Sequence, residues 1–126
     1  MKVEDITLAA ALKILEADDT MLVDVRTEAE WQEVGVIDMP HKVILLSLLL
    51  GQDRELNLNF LSDLQQLGLP LSTKLIFLCK SGGRSAHAAN MAAGLGYECY
   101  NVADGYDAMI AARSSCHIRL GGDPGI

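Results

Sequence analysis

One stretch constrains the fold more than any other. Leu75-Ile76-Phe77-Leu78 is an apolar run that stops at Cys79, and Lys80-Ser81-Gly82-Gly83-Arg84-Ser85 leads into an alanine-rich segment that reaches Leu95. The run is too short for a helix and has the make-up of a strand buried on both faces. The alanine-rich segment reads as a helix over Ser85 to Leu95, stopped by Gly96. A strand of this kind delivers Cys79 to a tight loop that opens onto a helix N-terminus. Backbone N–H groups and the helix dipole are concentrated there, and Lys80 and Arg84 add two full charges. Such a setting pulls a thiol from about 8.5 towards neutrality and makes its thiolate available as a nucleophile. The plainer reading is a buried, inert cysteine before a glycine turn, but a glycine pair flanked by two cations at a strand end favours the reactive one.

The remaining chain extends the pattern. Val3 to Ile6 reads as a short edge strand, and Thr7 to Ala17 as a helix with Leu8, Ala11, Leu12 and Leu15 on one face. Met21 to Val25 reads as a strand ending in Asp24-Val25-Arg26. Thr27-Glu28-Ala29-Glu30 has the form of a capping box and starts a short helix that Gly35 closes. A loop with Pro40 follows, from Val36 to Lys42. Val43 to Leu50 is almost wholly apolar, so a strand buried on both faces is expected at its start, with a helix open as an alternative for its leucine-rich second half. Gly51 to Leu58 reads as a surface connection. Asn59 is the expected cap of a helix carrying Phe60, Leu64 and Leu67, stopped by Gly68. Tyr97 to Val102 reads as a last strand and Tyr106 to Arg113 as a last helix. Strands alternating with helices predict an α/β fold, a mostly parallel sheet with helices on both faces. Ligands in such sheets sit beyond the carboxyl ends of the strands. Cys79 and Asp24-Val25-Arg26 both mark strand ends on that rim.

At 126 residues the chain is expected to be one domain, residues 1–113, followed by a tail at 114–126 with poor periodicity. The net charge of −7 argues against nucleic-acid and acidic-membrane partners. The apolar run at 43–50 is far too short for a membrane span. Three cysteines, twenty and seventeen residues apart, imply neither a disulfide framework nor a metal site. No cofactor is implied, and a reducing cytoplasm is the simplest compartment. Cys99 reads as a small buried hydrophobe. Cys116 beside His117 is too sparse a pair for a metal site and is left as a possible resolving thiol. His41 and His87 read as surface residues.

Taken together, these pieces resemble the single-domain rhodaneses, a family of sulfurtransferases. Asp24-Val25-Arg26, followed by Glu28 and Trp31, is similar to the family's DVR strand end. Cys79-Lys80-Ser81-Gly82-Gly83-Arg84-Ser85 is similar to its active-site loop C-[RK]-S-G-x-R-S. Leu95-Gly96-Tyr97 and Asn101-Val102-Ala103-Asp104-Gly105 resemble the segments that follow. The G-H-I-P-G-A segment is replaced by Gly35-Val36-Ile37-Asp38-Met39-Pro40, and the family's tryptophan-bearing C-terminal ending is absent.

The resemblance implies a rhodanese-like sheet of roughly five strands, and it implies sulfane-sulfur transfer. Cys79 would attack the outer sulfur of a donor such as thiosulfate and become a persulfide, and cyanide, a thiol or a sulfur-accepting protein would then take the sulfur. Lys80, Ser81, Gly82, Gly83, Arg84 and Ser85 would form the substrate cradle, with Arg84 or Lys80 as the cation for the anionic donor. Apart from the resemblance, the residues themselves favour structural roles for Asp24 and Arg26, Asp24 accepting backbone hydrogen bonds and Arg26 pairing with Asp24 or Glu30, with help in substrate binding from the neighbouring strand end left open for Arg26. Two alternatives stand beside this reading: a non-catalytic or sulfur-relay interaction module, and a cysteine phosphatase or arsenate reductase. The latter use C-x5-R, whereas Cys79 and Arg84 are separated by four residues, a ring better suited to one sulfur atom. Monomer and homodimer both remain open.

Overall fold

The computed structural model describes residues 3–39, 41–50, 54–111 and 118–119. At its centre is a five-stranded sheet, parallel throughout. Its strands are β1 (Glu4–Ile6), β2 (Thr20–Asp24), β4 (Val43–Leu45), β7 (Lys74–Leu78) and β8 (Glu98–Val102), in the order β1-β8-β7-β2-β4. The apolar run that ends at Cys79 is the middle strand, buried from Leu75 to Leu78. Its side chains alternate between two cores. Leu75 and Phe77 face α3 (Phe60–Gln66) and α4 (Gly83–Ala93), with Phe60, Leu64, Ala88, Ala89, Ala92 and Ala93. Ile76 and Leu78 face α1 (Leu8–Ile14) and α5 (Gly105–Ala111), with Leu8, Ala11, Leu15 and Tyr106. Helices therefore cover both faces, as the alternation predicts.

The helix ends follow their capping chemistry. Thr7 accepts the Ala10 N–H at the start of α1, and Asp104 accepts the Leu8 N–H from across the fold. Thr27 and Glu30 form a complete capping box at the start of α2 (Glu28–Val34). Gly35 ends that helix at φ 102°. Asn59 occupies the cap position of α3 without a side-chain hydrogen bond. No helix among the described residues is long and apolar enough to cross a membrane.

Three expectations change. The start of the 43–50 run is β4, an edge strand and only partly buried, because β2 is its sole neighbour in the sheet. The second half of that run is not helical: Leu49–Leu50 is a strand, β5, paired antiparallel with β6 (Glu55–Leu56), so the expected surface connection carries half of a hairpin. The loop after Gly35 contains β3 (Val36–Ile37), which pairs antiparallel with β9 (Ile118–Arg119), so part of the tail is tied to the domain. Pro40, Cys116 and His117 lie outside the described residues.

Candidate active site

Register brings the two loaded strand ends together. Asp24 lies opposite Leu78, and the Val25 N–H donates to the Leu78 carbonyl at 2.9 Å. Arg26 and Asp24 form a fully buried pair: Arg26 Nη2 donates to Asp24 Oδ2 at 2.7 Å, and Nε and the Arg26 backbone N–H donate to Oδ1 at 3.0 and 3.1 Å. The guanidinium also donates to the Gly35 carbonyl and stacks 3.9 Å over the Tyr106 ring. Of the two partners the sequence left open for Arg26, the structure shows Asp24. Buried charges persist only when paired and hydrogen-bonded in this way.

The loop after β7 turns tightly. Gly82 has φ 99° and precedes the first turn of α4, and a Cβ there would run into the Ala103 carbonyl, whose carbon lies at 3.0 Å. Only glycine satisfies both constraints. Gly83 is under neither constraint: it is helical and has open space around it. Gly105 closes the loop from the other side, its φ of 65° pressing its backbone onto Lys80 and Ser81. The first N–H groups of α5 then bind the loop: Tyr106 N donates to Cys79 O at 2.8 Å and Asp107 N to Lys80 O at 3.0 Å.

Cys79 sits at the floor of this ring, 1% exposed. Its Sγ accepts the Gly82 N–H at 3.1 Å and lies 3.3 Å from Ser85 Oγ. Burial pushes the thiol up, but the Ser85 hydroxyl and the N–H groups of Ser85, Ser81 and Gly82 outweigh it and lower the thiol below its ordinary value. Cys99 shows the contrast: buried without such donors, it is pushed up to about 12.

The two cations of the loop do not stand free. Arg84 forks the Glu30 carboxylate, Nη1 to Oε1 at 2.7 Å and Nη2 to Oε2 at 3.0 Å. Lys80, on the surface, pairs with Asp107 at 3.8 Å. A carboxylate from another element meets each of the two cations expected to face an anionic donor. Ser81 is exposed at the loop surface, and His41 and His87 are exposed as expected. Glu30, Asp107 and Asn101 are site neighbours that the sequence reading did not assign to the site. Glu30 was legible as a helix cap and as an alternative partner of Arg26, not as the partner of Arg84. Asn101, buried beside Ser85, had no signal beyond its place before Gly105.

A family model described as rhodanese-like domain matches residues 7–112. Uncharacterized protein RP600 of Rickettsia prowazekii is 42% identical over 111 residues, spanning 85% of this chain and 86% of that protein. Rv0390 from M. tuberculosis is 37% identical with a TM-score of 0.70, over 83% of this chain and 80% of that one. The Bacillus anthracis CoADR-RHD structure is 22% identical with a TM-score of 0.69, over 92% of this chain but 18% of that one, and shares the fold.

Proposed function

This chain belongs to the rhodanese-like domain family, and from that premise we propose that it is a sulfurtransferase carrying sulfane sulfur on Cys79. The observation that carries the reading is the thiol at the floor of a closed ring of donors, with Gly82 N–H and Ser85 Oγ on its sulfur. A slender donor reaches such a floor end-on. With thiosulfate, the Cys79 thiolate attacks the outer sulfur, the bond to the sulfite sulfur breaks, and its electron pair leaves with sulfite. The Cys79 persulfide then meets cyanide or a thiolate, which takes the outer sulfur while the electron pair of the S–S bond returns to Cys79. The two half-reactions give ping-pong kinetics. The N–H groups at the start of α4 support the charge on the outer sulfur. Asp24 and Arg26 keep the rim in place without touching the donor. A reducing compartment suits a thiol that must return to its free form.

The test is turnover of thiosulfate and cyanide by wild type and Cys79→Ser, with peptide mass analysis after thiosulfate alone. Wild type is expected to turn over and to gain one sulfur on the Cys79 peptide, and the variant to do neither. Undiminished turnover in the variant, or sulfur found on Cys116 instead, sinks the assignment. A wild type inert with thiosulfate and with a low-molecular-weight persulfide would make the domain an interaction module, and hydrolysis of an aryl phosphate would make it a phosphatase.

A further inference from the structure

The group closest to the Ser85 hydroxyl is not the nucleophile. Ser85 Oγ lies 2.5 Å from Asn101 Oδ1, against 3.3 Å from Cys79 Sγ and 3.3 Å from the Gly82 carbonyl. The amide of Asn101 is oriented by other partners: its Nδ2 donates to Gly82 O at 3.2 Å and to Asp5 Oδ1 at 3.0 Å. Its Oδ1 therefore faces Ser85, and a carbonyl oxygen only accepts. Ser85 has one hydroxyl proton for three acceptors, and the Gly82 carbonyl is already met by the Ala86 N–H and Asn101 Nδ2, which leaves Asn101 Oδ1 and Cys79 Sγ as the rivals for it. Both residues are buried, Ser85 at 0% and Asn101 at 3% exposure, so bulk water does not relieve the competition.

We propose that Asn101 is a positioning residue for Cys79 that acts through Ser85, its carbonyl holding the Ser85 proton while the sulfur is uncharged and releasing it when the sulfur becomes a thiolate. In the thiol form the S–H donates to Ser85 Oγ and the Ser85 O–H donates to Asn101. When a solvent base removes the thiol proton, the S–H bond is the one that breaks, and Ser85 keeps its own proton and turns it onto the thiolate. In the persulfide the charge moves to the outer sulfur, and the hydroxyl returns to Asn101. The swing therefore occurs in each half-reaction. That use of it rests on the sulfurtransferase reading, whereas the competition for the proton does not.

The charged groups around Cys79 come from every element packed on the loop. Asp24 and Arg26 are paired at the end of β2, Glu30 of α2 is paired with Arg84 of α4 and lies 3.8 Å from Arg54, Lys80 is paired with Asp107 of α5, and Asp104 of the β8–α5 turn accepts the Leu8 N–H. Asp5 of β1 touches Asn101 on its Nδ2 side.

The experiment follows alkylation of the Cys79 peptide in the full chain across pH, read by mass spectrometry, so that Cys99 and Cys116 do not contribute. Asn101→Leu removes the rival acceptor and is expected to raise the thiolate fraction below the midpoint roughly tenfold, the effect of about one redirected hydrogen bond. Ser85→Ala is expected to lower that fraction, and in the Ser85→Ala background Asn101→Leu is expected to change nothing. A shift that persists without Ser85, or no shift with Ser85 present, overturns the proposal. Where Asn101→Leu does not fold, Asn101→Asp keeps the acceptor and grips the proton harder. Its loss of thiolate should be larger with Ser85 than without, and equal losses overturn the proposal. A Cys79 that titrates as expected yet takes no sulfur from thiosulfate overturns the functional reading and leaves the proposal for Asn101 standing.

Discussion

Glu30 does more at the site than its capping motif reveals. It completes the box with Thr27 and clamps Arg84 through both oxygens. Burial pushes its carboxyl up, but the Arg84 guanidinium and the Thr27 N–H and hydroxyl outweigh it and hold the group at about 2, below the ordinary 4.5. A folded-state value below the unfolded one means the unfolded chain binds the proton first. The stabilisation is therefore complete above about 4.5, drains away as pH falls, and is gone near 2. With Glu30 16% exposed, its size is on the order of 3 kcal/mol. Glu30→Gln is expected to lower stability at neutral pH by roughly 2–3 kcal/mol and to flatten the acid limb, as measured by urea unfolding at a series of pH values. An acid limb in the variant parallel to that of wild type would mean that the pair contributes nothing. The local pair Asp24–Arg26 was legible as one of two pairings left open for Arg26, because its partners are two residues apart at one strand end. The Glu30–Arg84 pair spans 54 residues, and only the sheet order brings α2 beside the loop.

At the scale of elements, the site is two turns pressed together. The β7–α4 loop and the β8–α5 turn each put a glycine where the other turn's backbone passes: Gly82 against Ala103, and Gly105 against Lys80 and Ser81. A Cβ on Gly105 would meet the Lys80 carbonyl, with the Lys80 carbon at 2.6 Å and Ser81 N at 2.7 Å, at a φ that L residues rarely adopt. These are backbone atoms, so no rotamer change relieves the clash. Gly105→Ala is expected to cost roughly 2–4 kcal/mol and to lower sulfur transfer per folded molecule, because α5 holds the Cys79 and Lys80 carbonyls. Gly83→Ala, with open space around it, is expected to leave stability within about 0.5 kcal/mol of wild type. Thermal unfolding of both variants separates the two glycines. Sequence grouped Gly83 with Gly82 in one cradle, because what distinguishes them lies across space. The same holds for the strands. Lys74–Leu78 announced itself by a bounded apolar run, and α4 by its alanine stripe. The 43–50 run is equally apolar, but its edge position and its hairpin depend on which neighbours it lacks or finds, and β3 exists only through residues 118–119.

Across the whole molecule, the sulfurtransferase proposal makes charge the factor that sets how an anionic donor would arrive. The chain carries −7, and among the described residues the cations near the rim lie beside carboxylates: Arg84 and, at 3.8 Å, Arg54 beside Glu30, Lys80 beside Asp107, and Arg26 beside Asp24. Among the described residues these ion pairs leave one cation in excess of the carboxylates, inside an acidic protein. Thiosulfate, a dianion, approaches against the field of the whole molecule, and salt that shortens the screening length from about 30 Å to about 8 Å removes much of that repulsion. The KM for thiosulfate is therefore expected to fall, by roughly two- to fivefold, as potassium chloride rises from about 0.01 M to about 0.15 M, with kcat unchanged. Protonated, neutral hydrogen cyanide feels no such field, so the KM for cyanide should stay level. Steady-state kinetics with each substrate varied in turn reads both. A KM for thiosulfate that rises with salt would mean attraction in place of repulsion. Arg84 would then have to leave Glu30 when the donor binds, and Glu30→Gln, by releasing Arg84 beforehand, would lower that KM at low salt.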